Sequence, residues 1–337
     1  MTDSCESLEF DERMRNLAAQ LDGLLVDGSL QRLTGGASQE TWAFDILMKG
    51  GILTPLILRR APTGVAFGDV GIGAEREAWL INRAGRCGVP TARVIRLLEP
   101  TDGLGSGFVA ERVSGETLPA RINRDEQFAQ VRPQLAAQCG AALAALHSTD
   151  VSDGPELPVR DAAVKVSELA RMNADAPLRS PVFELALRWL QQNVRERAGP
   201  PRLVHGDFRN GNLIVGPDGL RAVLDWELAH LGDPLEDIGY LTINSWRFGI
   251  TEKAVGGFGT LEQLLDAYVA AGQARPDHDA IRFWQILGSL RWGLVCLEMA
   301  RPPEEGGTIT VERAMIGRRA SETELDLLDL LAPEGSA

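Results

Sequence analysis

A short polar stretch, His205-Gly206-Asp207-Phe208-Arg209-Asn210-Gly211-Asn212, concentrates a carboxylate, two carboxamides and a guanidinium, and Asp225 follows it closely. Phosphoryl transfer asks for such a set: an acceptor for the proton of an attacking hydroxyl, oxygen ligands for Mg2+, and positive charge against phosphate oxygens. Asp207 supplies the first, Asn212 with Asp225 the second, and Arg209 the third. Singly, each residue has a plainer reading, because Asp and Asn hydrogen-bond their own turns and an aspartate readily ends a strand. Their joint spacing singles out the chemistry.

The neighbouring residues must hold these groups in place. Leu203-Val204 runs into the loop and Leu213-Ile214-Val215 leaves it. A turn at Pro217-Asp218-Gly219 then reverses the chain, and Ala222-Val223-Leu224 delivers Asp225, which predicts a hairpin presenting two loops side by side. Upstream, Leu33-Thr34-Gly35-Gly36-Ala37-Ser38 before residues 41–46 predicts a strand-loop-strand flap, and residues 55–60 a third strand ending in Arg59 and Arg60. Residues 74–84 read as a helix with Glu77 on the same face as Leu80, Ile81 and Ala84. Two further strands are expected at 92–98 and 107–113, divided by a turn at 100–103. An amphipathic helix opens the chain over residues 11–25, through Met14, Leu17, Leu21 and Leu24. Beyond Gly115 the apolar spacing turns helical, at Leu135, Cys139, Ala142, Leu143 and Leu146 and again at 183–196, 260–271 and 280–300. The class is α+β: a sheet-rich first third joined to a helix-rich remainder. No internal repeat is evident, and residues 332–337 read as a frayed tail.

Composition excludes more than it selects. A formal net charge of −13 argues against a nucleic-acid partner, which needs clustered Lys and Arg. The four cysteines, Cys5, Cys87, Cys139 and Cys296, are scattered without metal-ligand spacing and read as reduced thiols of a cytoplasmic protein. Nothing resembles an export signal or a membrane span.

The order of His205-Gly206-Asp207, Asn212, Asp225-Trp226-Glu227 and Gly232-Asp233-Pro234 resembles the aminoglycoside phosphotransferase family of protein-kinase-like enzymes. That resemblance implies a bilobal protein-kinase-like fold, with a small sheet-rich nucleotide-binding N-lobe over residues 1–113 and a larger helical catalytic and substrate-binding C-lobe over 114–337. It implies ATP and Mg2+ as cofactors and a small-molecule hydroxyl acceptor as partner. Asp207 would be the catalytic base, Asn212 and Asp225 the metal ligands, and Arg209 would stand where protein kinases carry a lysine meeting the transferred phosphate. Arg59 takes the place of the phosphate-gripping lysine, with Glu77 as its ion-pair partner. Arg60 competes for that role, since a one-residue slip flips the side chain across the strand. Gly35, Gly36 and Ser38 would cradle phosphates, and the backbone from Glu111 to Val113 would pass the adenine edge. His205 organises the loop, whereas Asp233 and Asp237 either hold magnesium or, as the favoured reading, brace the loop.

Leu58-Arg59-Arg60-Ala61-Pro62, Glu75-Arg76-Glu77, Glu111-Arg112-Val113-Ser114-Gly115 and Val223-Leu224-Asp225-Trp226-Glu227 resemble the branch found fused to acyl-CoA dehydrogenases, which implies a hydroxyacyl-type acceptor. The rivals are an aminoglycoside or amino-alcohol kinase and, because arginine stands at position 59, a non-catalytic nucleotide-binding module. An aminoglycoside predicts an acidic pocket after residue 240, whereas Arg247, Arg282, Arg291 and Arg301 scatter positive charge there. Those arginines could meet a carboxylate, phosphate or coenzyme A, but the favoured expectation is that they are solvated or paired with surface glutamates. The acceptor's identity, ATP against GTP, and the oligomeric state stay open.

Overall fold

The computed structural model describes residues 2–33, 39–61, 71–301 and 310–332. The first part holds α1 (Thr2–Gln20), β1 (Gly23–Leu25), β2 (Gln31–Leu33), β3 (Glu40–Met48), β4 (Leu53–Arg60), α2 (Ala74–Arg86), β5 (Val94–Leu97) and β6 (Gly107–Glu111). Its strands form one antiparallel sheet in the order β1-β3-β4-β6-β5, with β2 also paired to β3. Side chains alternate across this sheet with period two. Leu56 and Leu58 of β4 therefore join Phe44, Ile46 and Val109 against Met14 and Leu17 of α1, while Phe108 and Ala110 face the other way, toward α2. Arg60 shares the α1 face with Leu58 and stacks on Phe10 at 4.7 Å, and Arg59 is turned to the opposite face.

The remainder is mainly helical: α3 (Pro119–Arg124), α4 (Arg132–His147), α5 (Ala162–Asp175), α6 (Pro181–Gln192), then β7 (Arg202–Val204), β8 (Leu213–Gly216), β9 (Gly219–Val223) and β10 (His230–Gly232), followed by α7 (Leu235–Thr242), α8 (Leu261–Ala270), α9 (His278–Met299), α10 (Val311–Arg318) and α11 (Ala320–Leu331). The β8–β9 hairpin forms as expected, and β7 pairs with β10. One apolar cluster runs from Ala78, Leu80 and Ile81 of α2 to Leu143 of α4, Phe208 and Trp226, so the sheet-rich part and the helical part share a packed seam. A second cluster joins α5, α6, α9 and α11.

The opening helix differs from the expected span of 11–25. It covers Thr2–Gln20 and ends before Asp22, whose positive φ of 60° turns the chain into β1. Leu24 consequently lies on a strand and is 70% exposed instead of sharing the buried helix face. α3, α5, α7, α10, α11 and β10 were not expected. For α7 the reason is physical: seven of its residues, Glu236 through Thr242, are buried, so no polar face interrupts the pattern to produce a readable period. Among the described residues no helix is long and apolar enough to cross a membrane, and Cys87, Cys139 and Cys296 are free thiols.

Candidate active site

The loop after β7 rests on α7. Fully buried Asp237 accepts the backbone N–H of His205 on Oδ2 at 2.8 Å and that of Gly206 on Oδ1 at 2.9 Å. His147, the last residue of α4, places Nε2 3.2 Å from the same Oδ2 and Nδ1 2.9 Å from the Tyr268 hydroxyl. Bonds from a carboxylate to backbone N–H groups are charge-assisted, contributing about 1.5–3 kcal/mol each. Of the two roles open to Asp237, its oxygens are occupied by bracing contacts. Asp233 likewise accepts the Leu235 N–H at 2.9 Å at the start of α7.

Gly206 sits at φ +79°, and a Cβ there would come within 2.6 Å of the Leu228 carbonyl oxygen, so only glycine fits. The His205 ring packs edge-on against Phe208 and Trp226 at 5.9 and 4.9 Å between centroids. Burial pushes its pKa below the ordinary imidazole range, against the pull of Asp237 and Asp207. The neutral ring accepts the Asp207 N–H at Nδ1, 3.2 Å away, which fits the loop-organising role.

Asp207 is the focus of the loop. Its Oδ2 accepts from the Asn212 carboxamide at 2.6 Å, and Arg209 Nε lies 3.3 Å from both carboxylate oxygens. The Asn212 amide also donates to the Asp207 carbonyl at 3.0 Å, which directs the nitrogen inward and leaves the carboxamide oxygen as the donor available to a cation. Arg209 stacks on Trp246 at 4.7 Å. Arg291 of α9 lies 3.7 Å from Asp207 Oδ1 and donates to the Gly206 carbonyl at 2.8 Å.

From the sheet side comes Arg59. Its guanidinium is 2.6 Å from Asp225 Oδ1, 3.4 Å from Glu227 and 3.5 Å from Glu77. Asp225 adopts a left-handed conformation (φ 68°, ψ 66°), sparsely populated away from glycine, where the β9 strand gives way to the turn at Trp226. Glu77, 1% exposed on α2, has its carboxyl pushed up to about 7, because burial outweighs the stabilising charge of Arg59 while Asp225 and Glu227 add repulsion.

A carboxylate with an arginine and a carboxamide on one loop and a second arginine from α9, together with an aspartate and an arginine paired at 2.6 Å, is the composition that phosphoryl transfer needs. Comparison with known proteins gives it a family. Residues 29–284, about three quarters of the chain, match the family model described as phosphotransferase enzyme family. The chain belongs to that family. Curated relatives include chicken (Gallus gallus) acyl-CoA dehydrogenase family member 11, 31% identical over 64% of this chain and 28% of that protein, and mouse (Mus musculus) acyl-CoA dehydrogenase family member 10, 29% identical over 55% of this chain and 18% of that protein. The chain thus spans less than a third of the length of these relatives. Solved structures with the same fold include a thermostable mutant of aminoglycoside phosphotransferase APH(4)-Ia in a ternary complex with AMP-PNP and hygromycin B, with a TM-score of 0.63 and 15% identity over 96% of this chain and 99% of that one. Another is macrolide 2'-phosphotransferase MphH from Brachybacterium faecium, with a TM-score of 0.57 and 20% identity over 96% of this chain and 98% of that one. The fold is the bilobal, kinase-like one that the sequence resemblance implies.

Within this phosphotransferase fold, the expected residues are met unevenly. Asp207, Arg209 and Asn212 converge, and Arg59, Glu77 and Asp225 form a second group. Arg60 is excluded from that group by strand alternation: it pairs with Glu40 at 2.8 Å and donates to the Leu104 carbonyl at 3.2 Å. Glu111 ends β6 with its backbone N–H bonded to the Arg93 carbonyl at 2.9 Å. Val113 follows on the half-buried connector to the helical part. Gly35, Gly36 and Ser38 lie outside the described residues.

Three contributors were assigned no role in the site from the sequence. Glu227 reaches Arg59, and no spacing rule distinguishes it from a surface glutamate. His147 lies eight residues after Cys139 and four after Leu143, on the apolar face of α4, and a polar residue on such a face is the signal that marks it. Arg291 carries the same signal: on α9 it lies in register with buried Leu287, Gly288 and Leu294. The expectation of a solvated arginine is corrected there, because its side chain is only 19% exposed and points into the site. Arg301 pairs with the exposed Glu298 at 3.1 Å, as expected, and also bonds the Asp175 carbonyl, while Arg282 bonds the carbonyl of Leu330 and Arg247 those of Thr242 and Thr251.

Proposed function

We propose that the chain transfers the γ-phosphoryl group of ATP, bound with Mg2+, to a hydroxyl of a small molecule, and that the acceptor is of hydroxyacyl type. The observation that carries the reaction is the convergence of Asp207, Asn212 and Arg209 opposite Asp225 and Arg59. Asp207 takes the proton as the acceptor oxygen bonds to the γ-phosphorus and the bond to ADP breaks. Arg209 and Arg59 place positive charge along the phosphates, and Glu77 positions Arg59. Residues 1–113 form the nucleotide lobe and 114–337 the catalytic and acceptor lobe, with the backbone from Glu111 to Val113 passing the base.

The donor set suits magnesium carried on a nucleotide. Among the described residues no cluster of three or more His, Cys, Asp or Glu could by itself hold a metal ion. Mg2+ in phosphoryl-transfer sites takes only one or two protein oxygens, the rest coming from phosphates and water. The Asn212 carboxamide oxygen and the Asp225 carboxylate are the two that would hold it, and the ion would neutralise phosphate charge.

The hydroxyacyl acceptor is supported by relatives named as acyl-CoA dehydrogenase family members, and by Arg209 and Arg291 beside Asp207, which oppose a polycationic acceptor such as an aminoglycoside. Measuring ADP release from Mg·ATP across amino, sugar and hydroxyacyl alcohols tests both parts. Release should require Mg2+ and fall by about 10²–10⁴ in Asp207→Ala. Near-wild-type turnover in that variant sinks the assignment of Asp207. A nucleotide-induced thermal shift without turnover in the wild type identifies a binding module instead.

A further inference from the structure

Asp237 pins the amides of His205 and Gly206, and His205 Nδ1 takes the Asp207 N–H at 3.2 Å, but the Gly206 carbonyl, at the other end of that next peptide unit, is left to be fixed by something else. That unit matters because it carries the Asp207 side chain, and because glycine at φ +79° has little intrinsic resistance to a change of ψ. We propose that Arg291 is the positioning residue that locks this peptide and orients the Asp207 carboxylate. The proposal rests on the phosphotransfer reading of Asp207 and concerns a residue on α9, far along the chain from the loop.

The geometry is specific. Arg291 donates from one terminal nitrogen to the Gly206 carbonyl at 2.8 Å and holds the other 3.7 Å from Asp207 Oδ1, so one planar guanidinium addresses both the peptide carbonyl and the carboxylate of the residue that follows it. Its guanidinium carbon lies over the Tyr240 ring, 4.6 Å from the centroid, which restricts the group. Behind it stands Glu236, 3.9 Å away and 3% exposed. Two more groups hold that glutamate in turn: Lys165 of α5 at 2.8 Å and His230 of β10 at 3.2 Å. A buried carboxylate with three basic neighbours is an expensive arrangement to keep for packing alone, since apolar residues of similar volume are often at least as stable. Here it fixes an arginine whose far side meets the loop. Arg291 is thus flanked by Glu236 and Tyr240, with its donors aimed at the Gly206 carbonyl and the Asp207 carboxylate.

Arg291→Met keeps an unbranched side chain on Tyr240 and removes the donors, and Arg291→Lys keeps the charge but cannot span both contacts. Two measurements decide the matter. The first is hydrogen exchange over the segment 204–212, which needs no substrate: exchange should accelerate at least about tenfold in Arg291→Met relative to wild type, and should not accelerate in Arg282→Met, which lies at the other end of α9. The second is ADP release from Mg·ATP with water as acceptor, alongside titration with AMP-PNP. Turnover should fall about 10- to 100-fold, the loss expected for a misplaced reacting group, with AMP-PNP affinity unchanged and Arg291→Lys still impaired. Added guanidinium ion below denaturing concentration should restore part of the turnover of Arg291→Ala. Unchanged exchange over 204–212 overturns the proposal, as does full activity in Arg291→Met or a parallel loss of AMP-PNP binding. If the wild type releases no ADP with any acceptor, the phosphotransfer reading falls, while the exchange experiment still decides whether Arg291 holds the loop.

Discussion

Replacing Asp237 by asparagine tests how firmly the loop is anchored. The carboxylate accepts two backbone N–H groups, from His205 and Gly206, and faces His147 Nε2 at 3.2 Å. Asparagine exchanges one acceptor oxygen for an NH2 donor, so at least one of the two N–H groups meets another donor. The change removes a charge-assisted bond worth about 1.5–3 kcal/mol and leaves a buried N–H unsatisfied at about 1–3 kcal/mol. The sum, about 2.5–6 kcal/mol, is a large part of the ~5–15 kcal/mol by which folded proteins are stable. With an unfolding entropy of ~2.1 cal/mol/K per residue, about 0.7 kcal/mol/K for 337 residues, the variant should melt about 4–8 °C lower. Calorimetry or circular dichroism measures this directly, and Asp233→Asn, which loses a single helix-start contact, should lower the melting temperature by much less. An Asp237→Asn protein that melts within about 2 °C of wild type refutes the bracing account, because no rearrangement within the buried site could replace the lost acceptor at so small a cost.

Glu77 predicts a pH dependence of opposite sign to the usual carboxylate. Its folded pKa, pushed up to about 7 by burial against the charge of Arg59, exceeds the ordinary 4.5, so its contribution to stability is fully present below about 4.5 and is lost as pH rises through about 7. The difference is about 3 kcal/mol, and Glu77→Gln should flatten the stability-pH curve from denaturant melts across that window. A variant that keeps the wild-type slope contradicts the burial argument. Lys165→Met leaves Glu236 without its partner at 2.8 Å and should cost about 3–5 kcal/mol in the same melts near neutral pH. The deficit should shrink in acid as Glu236, held at about 2 against burial by Lys165 and His230, takes up its proton more readily in the variant. An equal deficit at every pH argues that Lys165 acts by packing alone.

The elements that place the loop were legible where their pattern is local. The β8–β9 hairpin announces itself through a Pro217-Asp218-Gly219 turn between apolar runs, and α2 through the spacing of Glu77, Leu80, Ile81 and Ala84. By contrast α7 is buried all round and shows no period, and β10 is only three residues long. The choice between Arg59 and Arg60 follows from strand alternation, but only once the face covered by α1 is known. That face is decided by Met14 and Leu17 packing on Leu56 and Leu58, contacts some forty residues apart.

By itself the sequence determined the chemistry on offer: Asp207, Arg209 and Asn212 lie within six residues, where the path of a single loop suffices to bring them together. It also determined the family, through motifs whose order survives without knowledge of the fold. Only the tertiary structure decided what holds that loop. Asp237 and Arg291 reach it from α7 and α9, His147 of α4 backs Asp237, and Arg59 meets Asp225 from a strand 166 positions earlier. Such contacts leave no local spacing to read, because packing brings them together and the chain between them can take many paths.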